Sequence, residues 1–572
     1  MSSTLAVTSP PPHRRPWVDE YPPGVPAEVS IDPQLTLVDL LDTAFRRYAQ
    51  RDACVCMGST LTFADLDRLS HDLAAWLQHL DLAAGARVAL MMPNLPQYSV
   101  AIAAVLRAGY TVVNVNPLYT PRELEHQLVD AGAEAIIVLE NFAPTLEEVI
   151  DRTSVRHVVL ASMGDLLGFW KGRLVNFAVR HLKKIVPEFR LPLDRGRTLT
   201  PFVQACDQGS RLSLRRTAVS PNDAAFLQYT GGTTGVSKGA TLLHRNVVAN
   251  ILQTEAWFKP MLDKVAGSPM TVVCALPMYH IFALTICYLM GARLGMKNLL
   301  IPNPRDIPGF IRTLQDHRVN MFPAVNTLFN ALANDAAFAR LDFSGLVVSN
   351  GGGMAVQEAT AKLWLKITAC PIVEGYGLSE TSPVATSNRV DSTSFSGTIG
   401  LPLPSTEIAI RDDAGCDVGT GQPGEICIRG PQVMAGYWQR PDETAKVMTD
   451  DGYFKSGDIG VMDERSYVKI VDRKKDMILV SGFNVYPTEI EQVVSLHPGV
   501  LECAVIGVPD AKSGEAVKLF VVKRDNTLNE DDLAAYCRDN FTAYKRPKSI
   551  EFRDELPKSN VGKILRRELR PN

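Results

Sequence analysis

The chain has 572 residues, 46% of them hydrophobic and 21% charged, with a formal net charge of -3 at pH 7. That length exceeds what one hydrophobic core serves, so two or more domains are expected, and the near-neutral charge balance gives no electrostatic reason for a nucleic-acid partner. The ten cysteines include no Cys-x-x-Cys pair, and Cys54 and Cys56 stand too close for a usual metal or redox motif, so reduced thiols in a cytoplasmic protein are expected.

The first fifteen residues contain prolines and two arginines but no apolar stretch, which argues against a secretory leader. From Leu35 the pattern becomes regular. The spacing predicts a helix over 37–49, short strands around Val55 and Leu61, and a long helix from Thr62 through Leu80. Apolar strands follow at 87–92 and 110–115, ended by Pro93 and Pro117, then a helix over 121–131 and a strand over 135–139. This alternation is the rhythm of a parallel α/β sheet.

Residues 165–189 break it. Leu166, Trp170, Leu174, Phe177 and Ile185 recur at helical spacing, while Lys171, Arg173, Arg180, Lys183 and Lys184 supply positive charge. Two readings stand side by side: a helix lying in a membrane interface, or a surface helix packing its apolar face on the domain.

An apolar strand at 224–227 leads into Tyr229, Thr230, Gly231, Gly232, Thr233, Thr234, Gly235, Val236, Ser237, Lys238 and Gly239, after which a helix is expected toward Asn250. Glycines let consecutive backbone N–H groups converge on an oxyanion, hydroxyls add donors, and Lys238 adds charge, which is the make-up of a triphosphate cradle. It departs from Gly-x-x-x-x-Gly-Lys-Ser/Thr, because Lys238 follows Ser237 and precedes Gly239. Strands at 271–276, 319–322 and 346–349 and a helix at 326–333 continue the pattern. The most apolar window, 281–292, is shorter than the ~20 residues of a spanning helix. From Ile399 the runs become short and alternating, which predicts a β-rich part. Beyond the charged run at 472–476, helices at 488–497 and 529–540 and strands at 503–507 and 516–522 predict a small α+β unit with a basic tail.

The stretch 229–240 resembles the AMP-binding signature of the adenylate-forming superfamily. Five further segments match that superfamily's motifs in order: Leu276 through Leu284 around His280; Gly351, Gly352 and Gly353; Glu374, Gly375, Tyr376, Gly377, Leu378, Ser379, Glu380 and Thr381; Tyr453 through Asp458, with Arg473 beyond; and Pro557 through Leu565 around Lys563. The resemblance spans nearly all of the chain after Leu35 and is greatest to bacterial long-chain fatty acyl-CoA synthetases.

The fold it implies is α/β: a large N-terminal domain of layered sheets and helices with a small β-rich subdomain, plus a small mobile α+β C-terminal domain. The expected bounds are an N-terminal extension over 1–34, an AMP-binding domain over 35–473 with its β-rich part at 399–470, and a C-terminal domain over 474–572. The activity implied is ATP-dependent conversion of a long-chain fatty acid to acyl-CoA through an acyl-adenylate, releasing pyrophosphate and AMP.

The resemblance also implies roles. Lys563, His280 and Lys238 would be catalytic. The loop 229–235, with Gly351 to Gly353, Glu374 to Gly377, Ser379, Asp458 and Arg473, would hold ATP or AMP. Glu380 would bind Mg²⁺. Tyr376 would stack on adenine, and Asp458 would accept from the ribose hydroxyls with Arg473 in support. His280, Trp257 and Gly353 would line the acyl site. Lys475 would be the hinge of a rotation that presents Ser481, Gly482 and Phe483 to coenzyme A. Where the superfamily usually has threonine this chain has Ser379, which keeps the hydroxyl. The alternative reading of His280 is a buried structural histidine.

Three alternatives remain: a ligase that stops at acyl-AMP and serves a carrier protein, a medium-chain ligase, and a membrane-surface lipid-binding protein with a regulatory nucleotide site. The expected location is cytoplasmic, with peripheral attachment to the cytoplasmic face of the inner membrane if 165–189 touches lipid. The oligomeric state stays open, a homodimer being one candidate.

Overall fold

The computed structural model describes residues 15–193, 196–230, 237–265, 267–481, 483–510, 512–524, 527–559 and 562–570. Among them, two large sheets form the body. One orders its strands Gly436–Tyr437, Lys238–Leu243, Ala224–Thr230, Thr111–Asn114, Arg87–Met91, Ala135–Leu139, His157–Ala161 and Thr198–Pro201. The other runs Leu401–Pro402, Val384–Ser387, Ile372–Gly377, Val348–Gly351, Met321–Ala324, Thr271–Cys274, Lys297–Leu300, Asp52–Cys56 and Ser59–Thr62. Their central pairs are parallel, with Val112 beside Val88 and Phe226 in one sheet and Met321 beside Val348 in the other. Strands such as Ala135–Leu139 and Thr271–Cys274 are buried along their whole length, as parallel strands covered on both faces must be.

Local chemistry sets the helix starts. Thr36 opens Leu37–Arg47 and Thr62 opens Phe63–Gln78, each hydroxyl accepting from the N–H three residues on while that residue's carboxylate accepts from the threonine N–H. Leu37, Leu40, Leu41, Ala44 and Phe45 then face inward on one stripe. Within the stretch read as an N-terminal extension, Trp17 and Tyr21 are buried. The Tyr21 hydroxyl donates to the Pro402 carbonyl at 2.6 Å, and its ring meets Trp257 edge-on at 5.1 Å.

The helix expected directly after the glycine-rich stretch is not there. Lys238–Leu243 is a strand that returns antiparallel to Ala224–Thr230, with Ala240 opposite Gln228, and the helix His244–Leu262 begins only afterwards. The strand is sandwiched, since Gly436–Tyr437 pairs with its other edge, so backbone groups buried by Ala240 and Leu242 are hydrogen-bonded.

An antiparallel sheet of Glu407–Arg411, Gly424–Arg429, Phe454–Met462 and Val468–Arg473 supplies the β-rich part. The C-terminal part has its own sheet, with Val500–Asp510 against Gly514–Lys523 and Ser549–Arg553 alongside in parallel, and its own core around Ile490, Val505, Leu519 and Leu533. This α/β body with a small α+β C-terminal part is the expected class.

Within 165–189, the helix is shorter than predicted: Phe169–Phe177 continued by a wide turn at Ala178–Leu182. No helix among the described residues is long and apolar enough to cross a membrane.

Candidate active site

A cavity of about 880 Å³ opens where the parallel strands of both sheets end. Leu276, Pro277 and His280 follow Thr271–Cys274, Val325 follows Met321–Ala324, and Gly352 and Gly353 follow Val348–Gly351. Gly375 to Glu380 come from Ile372–Gly377 and the turn after it, while Thr230, Ser237 and Lys238 come from the other sheet. Carboxyl ends of parallel strands are where α/β sheets bind ligands, because the chain there leaves the sheet and the helices have not yet covered it. Lys563, from the C-terminal part, completes the wall.

The lining divides into a charged and an apolar set. Trp257, Phe258, Ile281, Phe282, Ile286 and Leu403 make the apolar one. Trp257 is fully buried, its indole N–H donating to the Asn388 carbonyl at 2.9 Å. Between the two sets, a Cβ on Gly352 would stand 3.0 Å from the Phe282 ring and 3.3 Å from the Gly375 carbonyl oxygen, so glycine keeps the passage open. A Cβ on Gly377 would stand 1.7 Å from the Pro383 carbonyl oxygen, which no side chain survives.

On the charged side, the Tyr376 hydroxyl donates to Asp458 at 2.7 Å, and Arg473 Nε lies 3.3 Å from the other carboxylate oxygen. Glu380 is buried and accepts from the Tyr437 hydroxyl at 2.8 Å, and burial raises its carboxyl above the usual range. No group of three or more His, Cys, Asp or Glu side chains suited to a metal occurs among the described residues. One carboxylate oxygen donor nonetheless fits Mg²⁺ chemistry at a phosphate site, because that ion keeps most of its shell as water and phosphate oxygens.

His280 Nδ1 accepts from the Phe282 N–H at 3.3 Å. Burial, with Lys563 nearby, pulls its ring down to about 4, so the neutral imidazole carries its proton on Nε2. Lys563 sits on a tight turn: its N–H donates to Ser559 Oγ at 3.1 Å and its carbonyl accepts from the Ser559 N–H at 2.7 Å. The neighbouring Gly562 carbonyl accepts from Thr327 Oγ1 of the body at 3.3 Å. Burial, then Arg473, brings the Lys563 ammonium down to about 7.

Not every expected residue among the described ones lines the cavity, and some expected residues are not described. Gly231, Gly232, Thr233, Thr234, Gly235 and Gly482 lie outside the described residues. The Tyr229 side chain turns into the core, its hydroxyl donating to Asp130 at 2.7 Å. Gly351 is a strand residue packed against Val356 and Ile372. Glu374 is buried under the floor, one oxygen accepting from the Val356 N–H at 3.0 Å and the other without a partner, and burial pushes its carboxyl up to about 8. Lys475 occupies the turn between Val468–Arg473 and Ile478–Val480. Ser481 and Phe483 are exposed away from the lining, with Phe483 stacked on Tyr544 at 4.7 Å.

The sequence reading missed Tyr437, Arg440, Glu443 and Lys446, which all line the charged side. Their only signal is position: Gly436–Tyr437 pairs with Lys238–Leu243 and Pro441–Val447 follows it, a pairing invisible before the sheet is assembled.

The AMP-binding enzyme model matches residues 41–438, and that for the AMP-binding enzyme C-terminal domain matches 489–563. The chain is 55% identical over 555 residues to a long-chain-fatty-acid–CoA ligase of Escherichia coli O157:H7, covering 97% of both proteins. It is 37% identical over 559 residues to one of Bacillus subtilis, covering 97% of this chain and 98% of that protein. Among solved structures, ATP-bound MatB from Rhodopseudomonas palustris superposes with a TM-score of 0.77 at 26% identity, over 94% of this chain and 98% of that one. Matched by the family model over 41–438 and by full-length relatives, the chain belongs to the AMP-binding enzyme family.

Proposed function

We propose that the protein converts long-chain fatty acids to acyl-CoA, with ATP and coenzyme A as co-substrates. The observation that carries this reading is a single cavity that joins Lys238, Glu380, Arg473 and Lys563 to the apolar surface of Trp257, Phe258, Ile281 and Leu403. A charged nucleotide and a greasy acid fit its two halves. Full-length likeness to long-chain-fatty-acid–CoA ligases supports the acid's class.

In the first step the ionised carboxylate oxygen bonds to the α-phosphorus of ATP while the bond to the β-phosphate bridge oxygen breaks and pyrophosphate leaves. No general base is needed; the obstacle is repulsion between anions, so cations and positioning do the work. Lys563 bridges the carboxylate and the α-phosphate, Lys238 and the loop N–H groups hold the outer phosphates, and Ser379 donates to the α-phosphate. Asp458 and Arg473 take the ribose, with Tyr376 beside adenine. His280 donates through Nε2 at the mouth of the acyl side. Glu380 would hold Mg²⁺, which supplies further neutralisation of phosphate charge.

In the second step the sulfur of coenzyme A bonds to the carbonyl carbon, the bond to AMP breaks, and the thiol proton passes to solvent. Lys563 must first withdraw. The C-terminal part, from 474 onward, turns about Lys475 relative to a body at 35–473 whose β-rich part spans 399–470, and brings Ser481, Gly482 and Phe483 to the cavity.

The test is pyrophosphate release across a carboxylic-acid series, with and without coenzyme A. Multiple turnover with long acids only when coenzyme A is present supports the ligase. A single turnover that coenzyme A does not extend favours a carrier-dependent acyl-AMP ligase, and a preference for shorter acids favours a medium-chain enzyme. No acid-dependent release ends the enzyme reading.

Peripheral membrane attachment is supported by the orientation of Phe169–Phe177. Trp170 is 80% exposed, Leu174 67% and Leu182 71%, while Asn176 and Arg180 turn toward the body. Arg180 binds Glu140 at 2.7 Å, Asn176 accepts from the Gly164 N–H at 2.7 Å, and Gly172 lies against Gly164. Exposed Lys183 and Lys184 flank the apolar row and suit anionic headgroups. Trp170→Glu with Leu174→Glu is expected to weaken co-sedimentation with phosphatidylglycerol vesicles by about tenfold or more, given ~1.5–3 kcal/mol for each large apolar side chain withdrawn from water. Unchanged sedimentation would leave the segment no role at a membrane.

A further inference from the structure

The charged side of the cavity is already occupied by one of its own carboxylates. Lys238 leaves the start of Lys238–Leu243 and pairs with Glu443, and Lys446 pairs with the same carboxylate. All three line the cavity. The helix that carries Glu443 is anchored from two sides, which leaves its side chain to move. That helix, Pro441–Val447, follows the strand that pairs with Lys238–Leu243, with Tyr437 opposite Ala240. Arg440, at the helix start, binds Asp130 at 2.7 Å, and Thr444 Oγ1 accepts from the Tyr437 N–H at 2.9 Å. Lys238 also stands 5.2 Å above the Tyr437 ring, whose hydroxyl reaches Glu380.

We infer that Glu443 is the internal counter-ion of the outer-phosphate subsite, and that Lys446 is a second phosphate-binding cation beside Lys238. The inference rests on the proposed reading of Lys238 as a phosphate ligand. An arriving triphosphate offers Lys238 and Lys446 several oxygens in place of two, and Glu443 must swing out because two anions cannot share the same ammonium groups at close range. When pyrophosphate forms, the carboxylate competes for the same cations and hastens its departure. Glu443 therefore acts through the two lysines, as a positioning residue. The groups are partly exposed, so salt screens the competition.

The experiment measures apparent KM for ATP and inhibition by pyrophosphate for the parent, Glu443→Ala, Glu443→Gln, Lys446→Ala and Lys238→Ala, at low and high ionic strength. Both Glu443 variants are expected to lower the KM for ATP by about three- to tenfold at low salt, with pyrophosphate inhibition tightened to match and the gap closing at high salt. The change is read in the KM for ATP together with the inhibition constant of pyrophosphate. Lys446→Ala raises KM severalfold. A merely structural Glu443 that holds Lys238 in place gives the opposite sign, a higher KM on its removal. A KM that is unchanged or raised in Glu443→Ala, while Lys238→Ala raises it, overturns the counter-ion and leaves the ligase reading standing. A KM for ATP indifferent to Lys238→Ala removes the reading of the loop itself.

Discussion

Lys563→Ala is expected to cut acid-dependent pyrophosphate release by about 10²–10³-fold, the usual cost of deleting one preorganised charge from an acyl- or phosphoryl-transfer site. The ammonium is brought to the cavity by a turn whose Gly562, at φ +79°, rests against Thr327 of the body. No other lysine from the C-terminal part lines the cavity among the described residues. Its acidity gives a second readout. Burial and Arg473 hold Lys563 at about 7, below its ordinary 10.5. In the ligand-free protein the charge is therefore present below about pH 7 and mostly lost by pH 8. Phosphate restores it, so ATP binding at pH 8 should take up close to one proton, seen as a buffer-dependent binding enthalpy. Lys563→Ala should abolish that uptake. The sign for folding is the reverse: the unfolded lysine holds its proton to about pH 10, so burying it costs stability at neutral pH, and the cost fades as pH rises from about 7 to about 10. Parent-level adenylation by the variant would remove Lys563 from the reaction.

Lys475→Pro is expected to separate the half-reactions. Pyrophosphate release in a single turnover should persist, while acyl-CoA formation drops by about 10²-fold or more. A proline fixes φ near -65° and removes the N–H, so the one position proposed to absorb the rotation loses its torsional freedom. The turn it occupies is otherwise secured on both sides, by Lys474 N–H to the Gly457 carbonyl at 3.1 Å and Asp476 N–H to the Arg473 carbonyl at 2.9 Å. Arg566, bound to Glu491 at 2.6 Å and to Asp472 at 3.2 Å, ties the C-terminal part to the strand before the turn. If both half-reactions fall together, the substitution has damaged the fold or the first site. If neither falls, the rotation pivots elsewhere.

Much of the site is legible in the chain because its chemistry is contiguous. The expected phosphate cradle would be built from neighbouring backbone N–H groups, so its candidate residues, Thr230 to Lys238, stand as one run in the sequence. Gly375 to Glu380 likewise carry a turn whose side chains point into one space. Strand and helix periodicity gave the α/β class because parallel strands buried on both faces read as continuous apolar runs. What fails locally is the piece after Lys238, since a short glycine-threonine-leucine segment has no period long enough to separate strand from helix, and the flanking Gly436–Tyr437 decides it.

The sequence by itself determined the family, the order of its motifs and the two kinds of surface the ligands require, because each resides in residues adjacent along the chain. Only the tertiary structure decided which polar and charged groups meet. Glu443 pairs with a lysine 205 residues earlier, Tyr376 with Asp458 across 82, and Tyr437 with Glu380 across 57. Only it decided, too, which way 169–182 faces. An amphipathic period is the same whether its apolar row points inward or outward, and the outward choice is made by Arg180 on Glu140 and by the contact of Gly172 with Gly164. Sequence fixes the period along an element; which face is buried depends on partners that come from elsewhere in the chain.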